Sequence, residues 1–241
     1  MILRDLKIRC INLARSPGRW ASIEHLFSGY DVQRVDAIDG LDFSNGTFDE
    51  LSRPCWDDEK LSELIVAGEL TEGFTRYHKH YPTEYAACRS HKKALEAFLK
   101  TDEDWTIIIE DDVEPVSNLS TIDVPDGADF FSLIGTDHQG RVWAGDDGQI
   151  AWMRTFGAYA ISRSAAATAC DALTPSHYPV DMQISVRCFA SLSKTYQVRC
   201  PKWGALDRFR AYAPKESVIR LSALSKQSTY TANGRKTWLG E

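Results

Sequence analysis

Apolar positions along this chain recur with two periods, one suited to strands and one to helices. KIRCINL (7 to 13) is apolar and partly β-branched, and predicts a buried strand that stops at the turn SPGR. Pro17 fits the first position of a helix capped by Ser16 and running to about Ser28. VQRVDAI (32 to 38) predicts a second strand closed by Asp39-Gly40, so the first forty residues read as a βαβ unit.

The strongest helical repeat lies in 84 to 100, where Tyr85, Cys88, Leu95 and Leu99, with Ala94 and Phe98, recur behind a Pro82-Thr83 start. His91 falls on that apolar face. Trp105 to Ile109 is continuously apolar, the pattern of a central parallel strand covered on both sides. Further strands are expected at 129 to 135, 150 to 156, 158 to 162 and 195 to 200, with helices from a Ser164 cap to about Leu173 and over 181 to 190. Residues 41 to 83 read as an irregular insertion with one short helix at 56 to 68, and the chain beyond Pro214 has little pattern. The alternation of strands and helices predicts an α/β fold, as a single domain over 1 to 241.

Composition narrows the function classes. A hydrophobic content of 43% with 26% charged residues excludes a disordered chain. The net charge of −6 argues against a nucleic-acid partner. That average hides a basic C-terminal segment (200 to 241), which is a candidate for peripheral contact with an anionic membrane surface or a phosphorylated acceptor. The six cysteines are dispersed, with no CxxC pair, so a reducing, cytoplasmic setting is expected. Met1, Ile2, Leu3, Arg4 and Asp5 do not resemble a secretory leader, and no apolar run approaches the roughly 18 residues of a membrane span.

The candidate chemistry follows the apolar strand at once, in WTIIIEDDVEP (105 to 115). Adjacent carboxylates repel one another and at a core edge they need a counter-charge. If extended alternation continues past Ile109, Glu110 and Asp112 face one side and Asp111 the other. Two oxygen donors on one side suit Mg2+ or Mn2+, which keep positions for water and substrate phosphates. The bland alternative is a solvated acidic turn stopped by Pro115.

Six blocks occur in order: INLARSPGRW (11 to 20), VDAIDG (35 to 40), EYAACRSHKKAL (84 to 95), WTIIIEDDV (105 to 113), FGAYAISRSAA (156 to 166) and PVDM (179 to 182). In these the sequence resembles glycosyltransferase family 25, whose bacterial members build lipooligosaccharide and whose animal relatives glycosylate collagen hydroxylysine. The resemblance implies a GT-A-like fold, a Rossmann-type mixed sheet flanked by helices that binds a UDP-sugar, with the acidic triplet as a DxD-like motif. Asp112 would bind the metal directly, with Glu110 as a second ligand or, with Asp111, holding its waters or the ribose. The implied activity is an inverting, metal-dependent transfer of a hexose, galactose above all, from a UDP-hexose donor to a saccharide acceptor such as lipooligosaccharide.

Other residues take roles under that reading. Asn12, Arg15 and Arg19 follow the first strand, where a diphosphate would meet a guanidinium fork, or else form a surface pair at the helix entry. Asp36 and Asp39 would read uridine or ribose, or, for Asp39, form the turn before Gly40. Glu84, Cys88 and His91 share a helix face, and with Ser90 map onto a family motif; His91 is either a ligand or a satisfied core residue. Asp181 is either the general base or a helix cap. Gly157 allows close approach of either the sugar or a neighbouring strand. The stretch GELTEGFTRYHKHYPTEYAAC departs from the family by its length and by lacking a glycine beside Glu84, so acceptor recognition is expected to differ. Zinc is poorly served by HKH and a distant CxxH. A nucleotidyltransferase would also use strand-end carboxylates, though no Gly-rich, lysine-containing phosphate loop is present. A catalytically inactive sugar-nucleotide-binding protein is the remaining alternative.

Overall fold

A computed structural model describes residues 3 to 43, 82 to 137, 142 to 174, 180 to 189 and 209 to 222. The expected helix at 56 to 68 and strand at 195 to 200 lie outside the described residues, as does most of the insertion.

The core is a six-stranded mixed sheet. In space its order is β2 (Val32–Asp36), β1 (Ile8–Asn12), β3 (Trp105–Glu110), β8 (Ala158–Ser162), β5 (Phe130–Ser132) and β9 (Ala211–Tyr212). β1 lies parallel to both β2 and β3, while β8 runs against both of its neighbours, β3 and β5. The expectation that β3 is a parallel strand is therefore corrected on one edge: its register with β8 pairs Trp105 with Ser162 and Ile109 with Ala158, antiparallel. Ile107, Ile108 and Ile109 are all fully buried, and since successive side chains face opposite ways, both faces of β3 are covered.

The βαβ unit forms as expected, with helix α1 (Pro17–Leu26) between β1 and β2. Ser16 sits at its N-cap but makes no side-chain capping bond. Its backbone carbonyl instead accepts from Arg19 and Trp20 and from the Asn12 side-chain amide at 3.2 Å, which fixes the turn after β1. Helix α2 (Pro82–Leu99) buries Cys88, Ala94, Leu95 and Phe98 on the stripe expected from the sequence. Helix α3 (Arg163–Ala172) is capped by Ser162 rather than Ser164. Ser162 ends β8 with extended backbone, and its hydroxyl accepts from Ala165 N at 3.3 Å, so the cap falls where the strand stops. Helix α4 (Val180–Cys188) packs on α2 and α3.

Below the sheet, the Arg163 guanidinium donates to the carbonyls of Leu99, Thr101 and Glu103, closing the C-terminal end of α2. Arg9, fully buried, pairs with Glu103 at 2.5 Å and lies against the Phe98 ring. These two arginines stabilise the end of the sheet opposite to the carboxylates.

Residues 215 to 222, the described part of the chain beyond Pro214, carry more regular structure than the sequence pattern implies. β10 (Ile219–Leu221) pairs antiparallel with β4 (Val113–Pro115), immediately after the acidic triplet. To reach it the chain crosses Gly135 so closely that an added Cβ would lie 2.6 Å from the backbone of Glu216 and Ser217. The expected strands at 129 to 135 and 150 to 156 shorten to β5 and to β7 (Ile150–Met153), which pairs with β6 (Val142–Ala144) as a separate hairpin. Arg210 and Arg220 of the basic segment are ion-paired with Asp129 and Glu114. Among the described residues Cys10, Cys88, Cys170 and Cys188 form no disulfide, and no helix is long and apolar enough to cross a membrane.

Candidate functional site

β1 leads through α1 to β2 on one side, and the chain later returns to β3 on the other side of β1. The sheet thus reverses its winding between β1 and β3, and a crevice is expected at their carboxyl ends. A cavity of about 110 Å3 opens there, well above the ~10–15 Å3 that admits one water. Its walls are the end of β1 (Ile11, Leu13), Arg19 of α1, the loop Ala37 to Gly40, one side of α2 (Thr83, Ala86, Ala87, Ser90, His91) and the whole triplet Glu110, Asp111, Asp112. Small side chains on α2 leave the room.

β3 ends at Glu110, and Asp111 and Asp112 form a turn into β4. The alternation expected for the three acids therefore stops one residue too early to divide them, and all three line the same cavity. Their surroundings divide them instead. Register pairs Ile11 with Glu110, which brings Asn12 to the level of Asp111. The Asn12 amide donates to Asp111 at 2.7 Å and Arg19 donates to its other oxygen at 2.9 Å. Glu110 accepts from His91 Nε2 at 3.1 Å. Asp112 is buried at 9% exposure, and its Oδ1 has no hydrogen-bond partner among the described residues.

The electrostatic consequence is a concentration of negative charge. Burial, and then the charges of Glu110 and Asp111, push the Asp112 carboxyl up to about 7, against a smaller opposing pull from Arg19. The same field reaches Cys10 beneath the site, whose thiol is raised first by burial and then by Asp111, Glu110 and Asp112. The buried Oδ1 of Asp112 and the buried Oδ1 of Asn12, likewise unpartnered among the described residues, are acceptor atoms. They suit a ligand that brings positive charge or donors.

A hard divalent cation fits this donor set. Among the described residues no group of three or more His, Cys, Asp or Glu forms a ready-made cage. An ion of the Mg2+ or Mn2+ type needs no such cage, since one or two carboxylates with water and substrate phosphates complete its shell. Asp112 and Glu110 are the residues that would hold it.

The remaining sequence candidates divide by location. Ser90 and His91 line the cavity, with the Ser90 hydroxyl accepting from Ile38 N at 2.9 Å to tie α2 to the 37 to 40 loop. Glu84 and Cys88 share the buried face of α2 with His91 but do not line the cavity. Asp39 lines it and also forms the expected turn, accepting from Leu41 N at 3.0 Å while pairing with Arg15. That pairing holds the Asp39 carboxyl below its usual range. Arg15 is half-exposed and does not line the cavity. Asp36 points its carboxylate to Arg34 at 3.3 Å on the surface of β2. Asp181 stands in the first turn of α4 and is not among the lining residues. Gly157 is close to protein rather than to the cavity: a Cβ there would meet Leu221, Val113 and Ile134, and its carbonyl accepts from Glu110 N at 2.8 Å. Tyr159 went unremarked in the sequence. Its signal was a hydroxyl in an otherwise apolar buried strand, and it contacts His91 Nδ1 at 3.1 Å.

No family model matches the chain, and no curated protein is similar to it in sequence. Among solved structures it is similar to a glycosyltransferase involved in the glycosylation of the major capsid of PBCV-1, at 9% identity and a TM-score of 0.42 over 90% of this chain and 92% of that one. It is also similar to an active-site mutant of LgtC (13% identity, TM-score 0.36) and to the galactosyltransferase LgtC in complex with donor and acceptor sugar analogs (13% identity, TM-score 0.33), each over 90% of this chain and 87% of the other. Likenesses this distant do not bear on activity, which has to be read from the cavity itself.

Proposed function

We propose that the chain is a GT-A-type, metal-dependent glycosyltransferase that moves a hexose from a UDP-sugar to a saccharide acceptor. The observation that carries this reading is the buried, partly unsatisfied Asp112 carboxylate at the switch point between β1 and β3, inside a cavity whose three acids are offset there, among the described residues, by the Arg19 guanidinium alone. A nucleoside diphosphate with its cation supplies what that cavity lacks. The resemblance of the six sequence blocks to glycosyltransferase family 25 points the same way, and galactose as the sugar and a lipooligosaccharide-type acceptor rest on that resemblance.

In this reading Asp112 and Glu110 hold Mn2+ or Mg2+, which when bound neutralises the charge growing on the departing diphosphate. Asn12 and Arg19 clamp Asp111 so that the turn keeps its shape as ligands exchange. The loop Ala37 to Gly40 and the small Ala86 and Ala87 offer the wall for the nucleoside. Inversion needs a carboxylate near the acceptor hydroxyl. Asp181 serves this role only if the acceptor lies outside the cavity, toward α4.

The test is incubation of the protein with a panel of UDP-hexoses and Mn2+, with UDP and pyrophosphate both measured. UDP release that rises with a saccharide acceptor supports the proposal. Pyrophosphate release would assign a nucleotidyltransferase instead. Absence of both, with no UDP-sugar binding, would sink it.

A further inference from the structure

The buried groups around Glu110 form a chain whose donors and acceptors can be assigned. Glu110 Oε1 lies 3.1 Å from His91 Nε2, and His91 Nδ1 lies 3.1 Å from the Tyr159 hydroxyl. A carboxylate oxygen accepts from a ring N–H, so this contact places a proton on His91 Nε2. In a neutral ring Nδ1 is then an acceptor, and the Tyr159 hydroxyl is its donor. Tyr159 is fully buried, and burial raises its hydroxyl well above the ordinary value, so it keeps the proton it donates. The ring is also fixed in orientation, edge-on to Phe156 at 5.7 Å and stacked with Tyr159 at 5.9 Å. Tyr159 is itself held from the sheet, in register with Ile108.

We propose that His91 is a positioning residue, locked by Tyr159 as the Nε2–H tautomer, which holds the Glu110 carboxylate at the cavity for a cation and nucleoside diphosphate. This rests on the function proposed above. Glu110 is the least buried of the three acids, its side chain 35% exposed at the end of its strand, and among the described residues His91 is its one side-chain partner. Without that bond the carboxylate would rotate among staggered positions, and each ligand-binding event would have to order it again. The arrangement resembles an outer-shell partner of a metal ligand, whose loss characteristically costs about 10- to 100-fold in affinity.

The experiment has two arms. In the first, long-range 1H–15N correlation on 15N-histidine-labelled protein at pH 7.5, without ligand, reads the ring nitrogens, with His91→Gln identifying the signal. The expected result is a protonated Nε2 and a bare Nδ1, with Tyr159→Phe shifting the Nδ1 resonance or mixing the tautomers. An Nδ1–H ring or a full imidazolium would overturn the assignment. In the second, calorimetry measures Mn2+ with UDP on the wild type, His91→Gln, His91→Leu and Tyr159→Phe. The Gln amide reproduces the Nε2 donor, so His91→Gln is expected to stay within about 3-fold of the wild type while His91→Leu loses about 10- to 100-fold. Equal affinity in a folded His91→Leu, or equal losses in His91→Gln and His91→Leu, would overturn the positioning role. If His91→Leu does not fold, the decision passes to His91→Gln and Tyr159→Phe: retained affinity in the first with a measurable loss in the second supports the proposal, and any other outcome rejects it. A wild type that binds no UDP fails the function proposed above, while the tautomer arm still stands on its own reading.

Discussion

Ser222 donates its backbone N–H to the carbonyl of Asp112 at 2.8 Å. The turn that carries the buried acids is therefore held by a segment more than a hundred residues away. That segment is fastened in turn to the loop after β5. Val218 N and Ile219 N both donate to Leu133 O, and the Ser217 hydroxyl donates to Asp137 at 2.6 Å while accepting from Gly135 N at 2.9 Å. The site thus depends on a crossing that the carboxylates themselves never touch.

Gly135→Ala tests that dependence. The added methyl meets the backbone of Glu216 and Ser217 at 2.6 Å as well as the Asp137 carboxylate at 2.8 Å, and since backbone cannot swing aside the 216 to 217 crossing has to shift. Overpacking of this kind costs about 1–3 kcal/mol. The expected outcome is a lower urea midpoint together with weaker UDP binding in the presence of Mn2+. Reduced stability with unaltered binding would show that the Ser222 tether is dispensable for the site.

Asp112 makes the site costly to the fold above neutral pH. Its folded value near 7 exceeds the ordinary 3.8, so between those limits the native state holds a proton that the unfolded chain has lost. Stability must fall as pH rises through that window and level off above it. The full shift corresponds to at most about 4 kcal/mol, and relaxation of the site lowers this. Asp112→Asn carries no charge to bury, so it is expected to melt several degrees above the wild type at pH 8 and close to it at pH 4, while losing Mn2+-dependent UDP binding. Melts at the two pH values decide it, and an advantage for the variant that persists unchanged at pH 4 would contradict the charge explanation.

Legibility in the sequence followed how local each signal was. β3 and β8 were readable because buried strands are short, nearly continuous apolar runs, β1 because Ile8, Cys10 and Ile11 stand before a Ser-Pro-Gly turn, and α2 because Cys88, Leu95 and Leu99 repeat within one element. β4 and β10 were not, since each has three residues and finds its partner across the chain. Ser162 took the cap from Ser164 because the strand end, which sequence places only to within a residue or two, decides which hydroxyl meets the free N–H groups. The triplet was visible as chemistry, but its internal division was not. That division depends on where β3 stops and on which neighbours, Asn12, Arg19 or His91, each acid meets.

Arg163 offers a control at the opposite end of the sheet. It donates to three carbonyls at the end of α2 and lies over the Phe98 ring at 5.2 Å, away from the cavity lining. Losing charged hydrogen bonds of this kind is expected to cost about 2–4 kcal/mol in Arg163→Ala. UDP affinity at a temperature where the variant is fully folded should remain that of the wild type. A selective loss of affinity there would mean that the two ends of the sheet are coupled.

Arg19 and Asp111 make the sharper test of how the acids are divided. Their side chains are 18% and 10% exposed, so the pair is largely desolvated, and removing one partner leaves a buried charge. Arg19→Ala should cost about 2–3 kcal/mol, less than the 3–5 typical of a fully buried pair because Asn12 still donates to Asp111. Arg19→Lys should recover only part, since a single ammonium does not reproduce the planar fork. The charge of Arg19 also opposes the rise at Asp112, so its loss should carry the Asp112 titration further up and extend the decline of stability to higher pH. A double-mutant cycle with Asp111→Asn, run at pH 6 and pH 8, separates the two effects. A coupling energy near zero at both values would mean that Asp111 is held by Asn12 alone, and the division of roles would then rest on the β1 to β3 register without help from α1.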